Sequence, residues 1–151
     1  MSDLRDLYQQ LIVDHAKSPR NFRRLGDGAR RVEGVNPLCG DRLTLFVLLE
    51  GDRIADVAFE GFGCAISTAS ASLMTEAVRG RTVAEAERLA ARFHELVTAP
   101  MDGPDLPTDG IGKPAVLAGV REFPARIKCA TLAWHSLRAA LKDTATTVTT
   151  E

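Results

Sequence analysis

Residues 42–62 decide the fold, and they read RLTLFVLLEGDRIADVAFEGF. Every second residue from Leu43 to Leu49 is apolar, which is typical of a strand with one buried face. Gly51-Asp52 separates this run from a second apolar run that begins at Ile54, and Gly-Asp between two such runs indicates a β-hairpin. A shorter strand-like run, Val32–Val35, precedes them. The sequence therefore predicts an antiparallel meander of three strands across residues 30–61.

Helical patterns lie on both sides of the meander. Apolar residues recur at helical spacing in five segments, which are residues 3–16, 65–79, 82–97, 115–121 and 125–142. Residues 99–114 are rich in Gly and Pro and predict a long loop, and the threonine-rich residues 143–151 predict a disordered tail. Strands followed by helices predict the α+β class: one domain over residues 1–142, with a small antiparallel three-stranded sheet packed against a set of helices.

Composition excludes several classes of protein. The chain has 151 residues, 19 lysines and arginines, 20 aspartates and glutamates and a formal net charge of −1, which argues against bulk binding to nucleic acid or to an anionic membrane. No apolar run approaches the ~20 residues of a membrane span. The first residues lack the basic-then-apolar profile of a signal peptide, so we expect a cytoplasmic protein without disulfides.

Three cysteines carry the candidate chemistry. Cys39 lies in a turn between two predicted strands, Cys64 where a strand gives way to a helix, and Cys129 in the first turns of the last helix. A helix N-terminus favours a thiolate, and Asp41 follows Cys39 after one glycine. Three thiolates and one carboxylate suit a tetrahedral zinc or an iron–sulfur cluster. The alternative from spacing alone is that the cysteines are small apolar core residues.

Four sequence blocks, in this order, resemble the SufU branch of the IscU/NifU N-terminal family of iron–sulfur cluster assembly proteins. They are DHAKSPRN at 14–21, NPLCGD at 36–41, GFGCAIS at 61–67 and RIKCA at 126–130. The resemblance spans residues 4–141. It implies a SufE/NifU-like fold and a ligand set of Cys39, Asp41, Cys64 and Cys129.

Two departures from the IscU pattern favour the SufU branch. Lys128 stands where IscU-type scaffolds carry a histidine, and the chain has an additional segment around residues 99–120.

The resemblance then implies a zinc-dependent sulfur acceptor, rather than a stand-alone enzyme. It would work with a PLP-dependent cysteine desulfurase of the SufS type and with other cluster assembly proteins. A scaffold that holds iron or a [2Fe–2S] cluster on the same ligands, or a binding module with a structural zinc, is the alternative. A zinc deaminase is disfavoured because the H-x-E signature is absent.

Within this site we expect Cys39 to accept the sulfur. Cys39 lies in a turn beside Gly40, where the backbone can move, whereas helices hold the other two cysteines, and the resemblance implies the same residue. Arg126 lies three residues before Cys129 and so shares its helix face. It is either an auxiliary hydrogen-bond donor to a thiolate or persulfide, or an exposed surface arginine. The basic segment 17–31 is either a solvated face or a docking surface for an acidic partner.

Overall fold

The computed structural model describes residues 2–104 and 106–150. A sheet forms one layer and the helices pack on it. The helices are α1 (Ser2–Lys17), α2 (Ala65–Val78), α3 (Val83–Thr98) and α4 (Pro124–Lys142), with a 3-10 helix at Lys113–Glu122, and the strands are β1 (Arg30–Asn36), β2 (Asp41–Glu50), β3 (Arg53–Phe62) and β4 (Thr147–Thr149). None of the helices in these described ranges is long and apolar enough to cross a membrane.

The predicted meander is present. β1 pairs antiparallel with β2 from Arg30 opposite Val47 to Asn36 opposite Asp41, and β2 pairs antiparallel with β3 through the turn at Gly51. Gly51 has a φ of +63°, a left-handed conformation that glycine adopts without strain. The side chains of Leu43, Leu45 and Val47 are buried, as the alternation predicted.

The prediction of a three-stranded antiparallel sheet is wrong, because the sheet has four strands and is mixed. Its order is β3-β2-β1-β4, and β4 runs parallel to β1. The fourth strand comes from residues 147–149, inside the segment that we expected to be a disordered tail. The amide of Thr150 continues the pairing by donating to the Val35 carbonyl at 3.1 Å. Backbone pairing with an open sheet edge, which needs no apolar pattern, is what orders this segment.

The core lies between the sheet and α2, α3 and α4. Trp134 of α4 is almost fully buried, and its ring stacks on Phe93 of α3 with centroids 4.5 Å apart. The indole N–H of Trp134 donates to the Ser70 hydroxyl at 3.1 Å, so the polar end of the ring is satisfied inside the core. These contacts fix α4, and therefore Cys129, against α2 and α3.

The segment at residues 14–21 fastens α1 and the following loop to α2. His15 is buried, and its Nδ1 lies 2.6 Å from the Ser72 hydroxyl, which also accepts the Arg20 backbone N–H at 2.8 Å. The Asn21 side chain donates to Thr75 Oγ1 at 3.0 Å. This block of the sequence is therefore a structural clasp on α2, and none of these hydrogen bonds involves a cysteine.

The basic segment 17–31 is largely neutralised within the chain. Its ion pairs with carboxylates are Arg20–Asp14, Arg23–Asp56, Arg24–Glu60 and Arg31–Glu33. Arg30 donates to the Ala140 carbonyl at 2.7 Å near the end of α4. This internal pairing favours the interpretation as a solvated face over that of a docking surface for an acidic partner.

Candidate metal centre

Three chain segments meet at one end of the sheet and bring the three cysteines together. The turn between β1 and β2 carries Cys39, and the Asn36 carbonyl closes this turn by accepting the N–H groups of Cys39 and Gly40 at 3.3 and 2.9 Å. Cys64 is the N-cap residue of α2, directly after β3. Cys129 lies near the start of α4. Each cysteine stands at the element boundary that the sequence predicted.

The ligand atoms of Cys39, Asp41 and Cys129 all lie within 4.8 Å of one another. The two sulfurs of Cys39 and Cys129 are 3.4 Å apart. Cys64 is outside this tight group and joins it through Asp41, whose Oδ2 is 3.9 Å from the Cys64 sulfur. Four tetrahedral bonds of about 2.3 Å would hold sulfur ligands about 3.8 Å apart, so Cys39, Asp41 and Cys129 suit a zinc ion in chemistry and spacing, and Cys64 suits it in chemistry.

Asp41 is fully buried, and the chain is shaped to accept its carboxylate. Its Oδ1 accepts the backbone N–H of Cys64 at 2.8 Å. A Cβ on Gly63 would lie 2.6 Å from the same oxygen, so a side chain at this position would displace the carboxylate. Gly63 therefore permits the close approach that ties the β1–β2 turn to the start of α2.

The three cysteines have different surroundings. Cys39 is exposed, Cys64 is half-buried and Cys129 is buried, and all three are free thiols. The sulfur of Cys64 accepts the Ser67 N–H at 3.4 Å in the first turn of α2, which is the predicted helix N-terminal setting. Cys39 has the greatest access to a second protein.

Cys129 lacks the helix N-terminal setting that Cys64 has. Burial raises the pKa of the Cys129 thiol, and hydrogen bonding with Asp41, Cys39 and Cys64 raises it further. Cys129 is the sixth residue of α4, where a free backbone N–H no longer faces it, and its sulfur lies 3.8 Å from the Ala125 carbonyl instead. A thiolate at this buried position needs a cation beside it, as a bound metal would provide.

Arg126 faces the cysteine cluster. The pKa of its guanidinium is raised, first by hydrogen bonding to Cys129 and then by the negative charges of Cys64, Cys129 and Cys39. The side chain itself is exposed. The role of Arg126 as a donor to a thiolate or persulfide stays a prediction.

Sequence reasoning missed one residue of the site, Asn36. It is fully buried at the end of β1, and its Nδ2 lies 3.4 Å from Asp41 Oδ2 and 3.6 Å from the Cys129 sulfur. Its Oδ1 has no hydrogen-bond partner among the described residues. The sequence held a signal for it, since a polar residue directly follows the buried strand pattern of Val32–Val35.

An apolar groove adjoins the cysteine cluster. It has a volume of about 590 Å³ and lies between α1, the start of α2 and the 3-10 helix. Arg126 lines both the groove and the cluster. Leu38 is adjacent to Cys39 and Phe62 lies two residues before Cys64, and both apolar side chains are exposed. Exposed apolar side chains therefore flank these two cysteines in the chain.

The chain is similar to known proteins over most of its length. The family model of the NifU-like N terminal domain matches residues 7–130. The chain is 45% identical over 146 residues to the iron-sulfur cluster assembly scaffold protein IscU of Streptococcus pyogenes serotype M1, covering 96% of this chain and 89% of the relative. It is 44% identical over 137 residues to the zinc-dependent sulfurtransferase SufU of Bacillus subtilis, covering 90% of each chain.

A solved structure supports the same relationship. The crystal structure of a putative iron-sulfur cluster assembly scaffold protein for the SUF system, from Fervidobacterium islandicum AW-1, superposes with a TM-score of 0.79 at 34% identity. The match covers 87% of this chain and 94% of that one. Like these relatives by sequence and fold, the chain is an α+β domain, and it carries three cysteines and an aspartate at one end of its sheet. The chain belongs to the NifU-like N-terminal domain family, among relatives named IscU and SufU, which confirms the resemblance seen in the four sequence blocks.

Proposed function

We propose that this protein is a zinc-dependent sulfur acceptor in iron–sulfur cluster assembly. It takes persulfide sulfur from a cysteine desulfurase of the SufS type and passes it on to cluster synthesis. The observation that carries the proposal is the graded exposure of three clustered thiols, with Cys39 exposed on a turn and Cys129 buried 3.4 Å away. The name of the Bacillus subtilis relative, a zinc-dependent sulfurtransferase, favours the same function.

Four residues would hold the zinc: Cys39, Asp41, Cys64 and Cys129. When bound, zinc keeps the thiolates deprotonated at neutral pH. Cys64 and Asp41 are tied to one another through the Cys64 N–H, and Cys129 is held within α4. Cys39 is anchored only by the backbone of its turn, where Gly40 has a φ of +74°. The chain thus fixes three donors and leaves the fourth on a movable segment.

The transfer step that we propose uses Cys39. Its thiolate attacks the outer sulfur of the desulfurase persulfide, the sulfur–sulfur bond of that persulfide breaks, and the desulfurase cysteine leaves as a thiolate. A new sulfur–sulfur bond forms on Cys39, which now carries the terminal negative sulfur, and the exchange involves no net oxidation. Arg126, which faces the cysteines, would stabilise this terminal charge.

A scaffold function is the second candidate, favoured by the name of the Streptococcus pyogenes relative. The same three thiolates and carboxylate suit a [2Fe–2S] cluster. The two functions differ in what the purified protein holds after reaction. A scaffold would retain iron and sulfide with visible absorption, whereas a sulfur acceptor would carry an additional sulfur on a cysteine and keep its zinc.

The first experiment measures metal. Zinc content of Cys39→Ala, Cys64→Ala and Cys129→Ala should fall strongly below the one ion per chain expected for the wild type. Leu38→Ala is the matched control, because Leu38 lies on the same turn as Cys39 and is exposed. Full zinc content in all three cysteine variants would rule out the shared site.

The second experiment follows sulfur. The zinc-loaded protein is incubated with a SufS-type desulfurase and cysteine, and peptide mass spectrometry locates the added sulfur. We expect it on Cys39, absent in Cys39→Ser, together with stimulation of the desulfurase by the wild type alone. Sulfur found mainly on Cys64 or Cys129, or undiminished stimulation by Cys39→Ser, would reject the proposal. A zinc with a purely structural role would give no stimulation at all.

A further inference from the structure

We propose that Asn36 is a positioning residue of the metal centre, and that its side-chain amide holds Asp41 and Cys129 as ligands while leaving Cys39 free to move. This inference rests on the proposed metal site. It concerns a residue that contacts the ligands and is not itself a ligand. Three features of Asn36 carry it: its burial, the direction of its two N–H bonds and its unpartnered oxygen.

Asn36 lies at the junction of the site. It is the last residue of β1 and stands opposite Asp41 in the sheet register. Its side chain is fully buried, so water does not compete for the amide. The two hydrogens of Nδ2 are directed to Asp41 Oδ2 at 3.4 Å and to the Cys129 sulfur at 3.6 Å. One side chain thus contacts two ligands from two different elements.

The orientation of the amide follows from the acceptors that it faces. A carboxylate accepts hydrogen bonds and does not donate them, and a thiolate does the same. The reversed amide would place Oδ1 against both negative groups, and this repulsion keeps Nδ2 on their side. The consequence is that Oδ1 has no partner among the described residues, although it is buried. A buried amide with an unpaired oxygen is costly, so we infer that its two donor contacts are what the site requires.

The backbone and the side chain of Asn36 contact different residues of the site. The backbone carbonyl accepts the N–H groups of Cys39 and Gly40 and shapes the turn. The side chain reaches Asp41 and Cys129, and neither of its two contacts is to Cys39. A substitution of the side chain therefore removes the contacts to two ligands and leaves the turn that carries Cys39 in place.

A hydrogen bond to a metal ligand fixes its orientation and tunes its charge. Loss of such a partner typically weakens metal binding by about 10–100-fold. We expect this loss in both Asn36→Leu and Asn36→Ala. Leucine keeps the branched shape of asparagine without its donors and is somewhat larger, whereas alanine removes the branch altogether. If hydrogen bonding is what matters, the two variants weaken binding alike. If Asn36 only fills space, Asn36→Leu binds like the wild type and Asn36→Ala is the weaker one.

The experiment needs neither a desulfurase nor sulfur. Zinc affinity is measured by competition with a chromogenic chelator, and cobalt(II) is then substituted to record the thiolate-to-metal charge-transfer absorption. A donor to the Cys129 sulfur lowers the energy of its lone pairs, so its loss should shift this band to longer wavelength in both variants. A change in packing alone would leave the band in place.

Thr75→Val is the matched control. Thr75 is buried at the other end of α2, and its hydroxyl makes two hydrogen bonds, to the Ser72 carbonyl and from Asn21. Valine has the same shape, so the control loses buried hydrogen bonds far from the cysteines. It should lose stability while keeping wild-type zinc affinity and an unshifted cobalt band. Wild-type affinity in Asn36→Leu, or an unshifted band in both Asn36 variants, would overturn the inference. A failure of sulfur transfer to Cys39 would instead overturn the proposed function and leave this measurement unaffected.

Discussion

Replacing Ser72 by alanine should destabilise the fold strongly while leaving the metal centre intact. The Ser72 hydroxyl is fully buried and lies 2.6 Å from His15 Nδ1 and 2.8 Å from the Arg20 backbone nitrogen. Alanine leaves both nitrogens without this partner. Stranding the buried His15 nitrogen costs about 1–3 kcal/mol, and the part-buried Arg20 N–H loses a hydrogen bond worth about 1.5 kcal/mol. The better helix propensity of alanine recovers about 0.5 kcal/mol. The net loss is therefore about 2–4 kcal/mol.

The measurement is the free energy of unfolding from urea titrations, supported by thermal melting. For a chain of this size about 1 kcal/mol corresponds to a shift of 2–4 °C, so the melting temperature should fall by about 5–15 °C. Ser136→Ala is the matched control, because Ser136 is equally buried but its hydroxyl bonds only the Leu132 carbonyl of its own helix. That control should lose less than about 1 kcal/mol.

Zinc affinity completes the test of Ser72→Ala. Ser72 lies eight residues along α2 from Cys64, a distance of about 12 Å along the helix axis. The variant should therefore bind zinc like the wild type. Equal unfolding free energies for Ser72→Ala and Ser136→Ala would show that the residue 14–21 clasp contributes nothing. Lost zinc affinity would show that this clasp belongs to the site after all.

Two further predictions concern metal removal and pH. Chelation should lower the melting temperature by about 8–16 °C at a zinc concentration of a thousand times the Kd, since binding at that ratio contributes about 4 kcal/mol. The far-UV circular dichroism should remain helical, because core residues such as Trp134 pack away from the cysteines, and loss of most of the helical signal would contradict this. Burial, and then the charge of Arg20, lowers the pKa of His15, so the folded chain disfavours the protonated ring. The unfolding free energy should therefore decline as the pH falls below the unfolded value of about 6.5, and an equal decline in His15→Gln would exclude His15 as the cause.

Local patterns sufficed to predict most of the helices and strands. The apolar alternation at Leu43–Leu49 and the turn at Gly51 specify β2 and β3, because the alternation and the turn both depend on residues close together in the sequence. The helix predicted over residues 82–97 is likewise present as α3, and a capping box of Thr82 and Glu85 begins it. The segments that carry the cysteines are the β1–β2 turn, the start of α2 and the second turn of α4, and they come together at one end of the sheet.

The features that the sequence did not reveal depend on distant partners. β4 is a three-residue strand from a threonine-rich segment, and it is specified by pairing with β1 more than 100 residues earlier. The pKa of Cys129 depends on burial by the rest of the fold, which outweighs the local signal of the helix start. Asn36 begins the NPLCGD block, but its contacts with Asp41 and Cys129 depend on the packing of β1 against α4, which no local pattern specifies.

In the proposed function, the site combines two cysteines held on helices with one exposed on a turn, and this asymmetry suits sulfur transfer. An ion bound by four equally rigid ligands would stabilise the fold but offer no thiol to a second protein. Here α4 buries Cys129, the Ser67 N–H holds Cys64, and Cys39 alone is exposed on a turn. A transferable sulfur must reach a second protein, so it belongs on the exposed thiol. Under this proposal the buried sulfur of Cys129, 3.4 Å from that of Cys39, would keep the centre assembled while Cys39 is engaged.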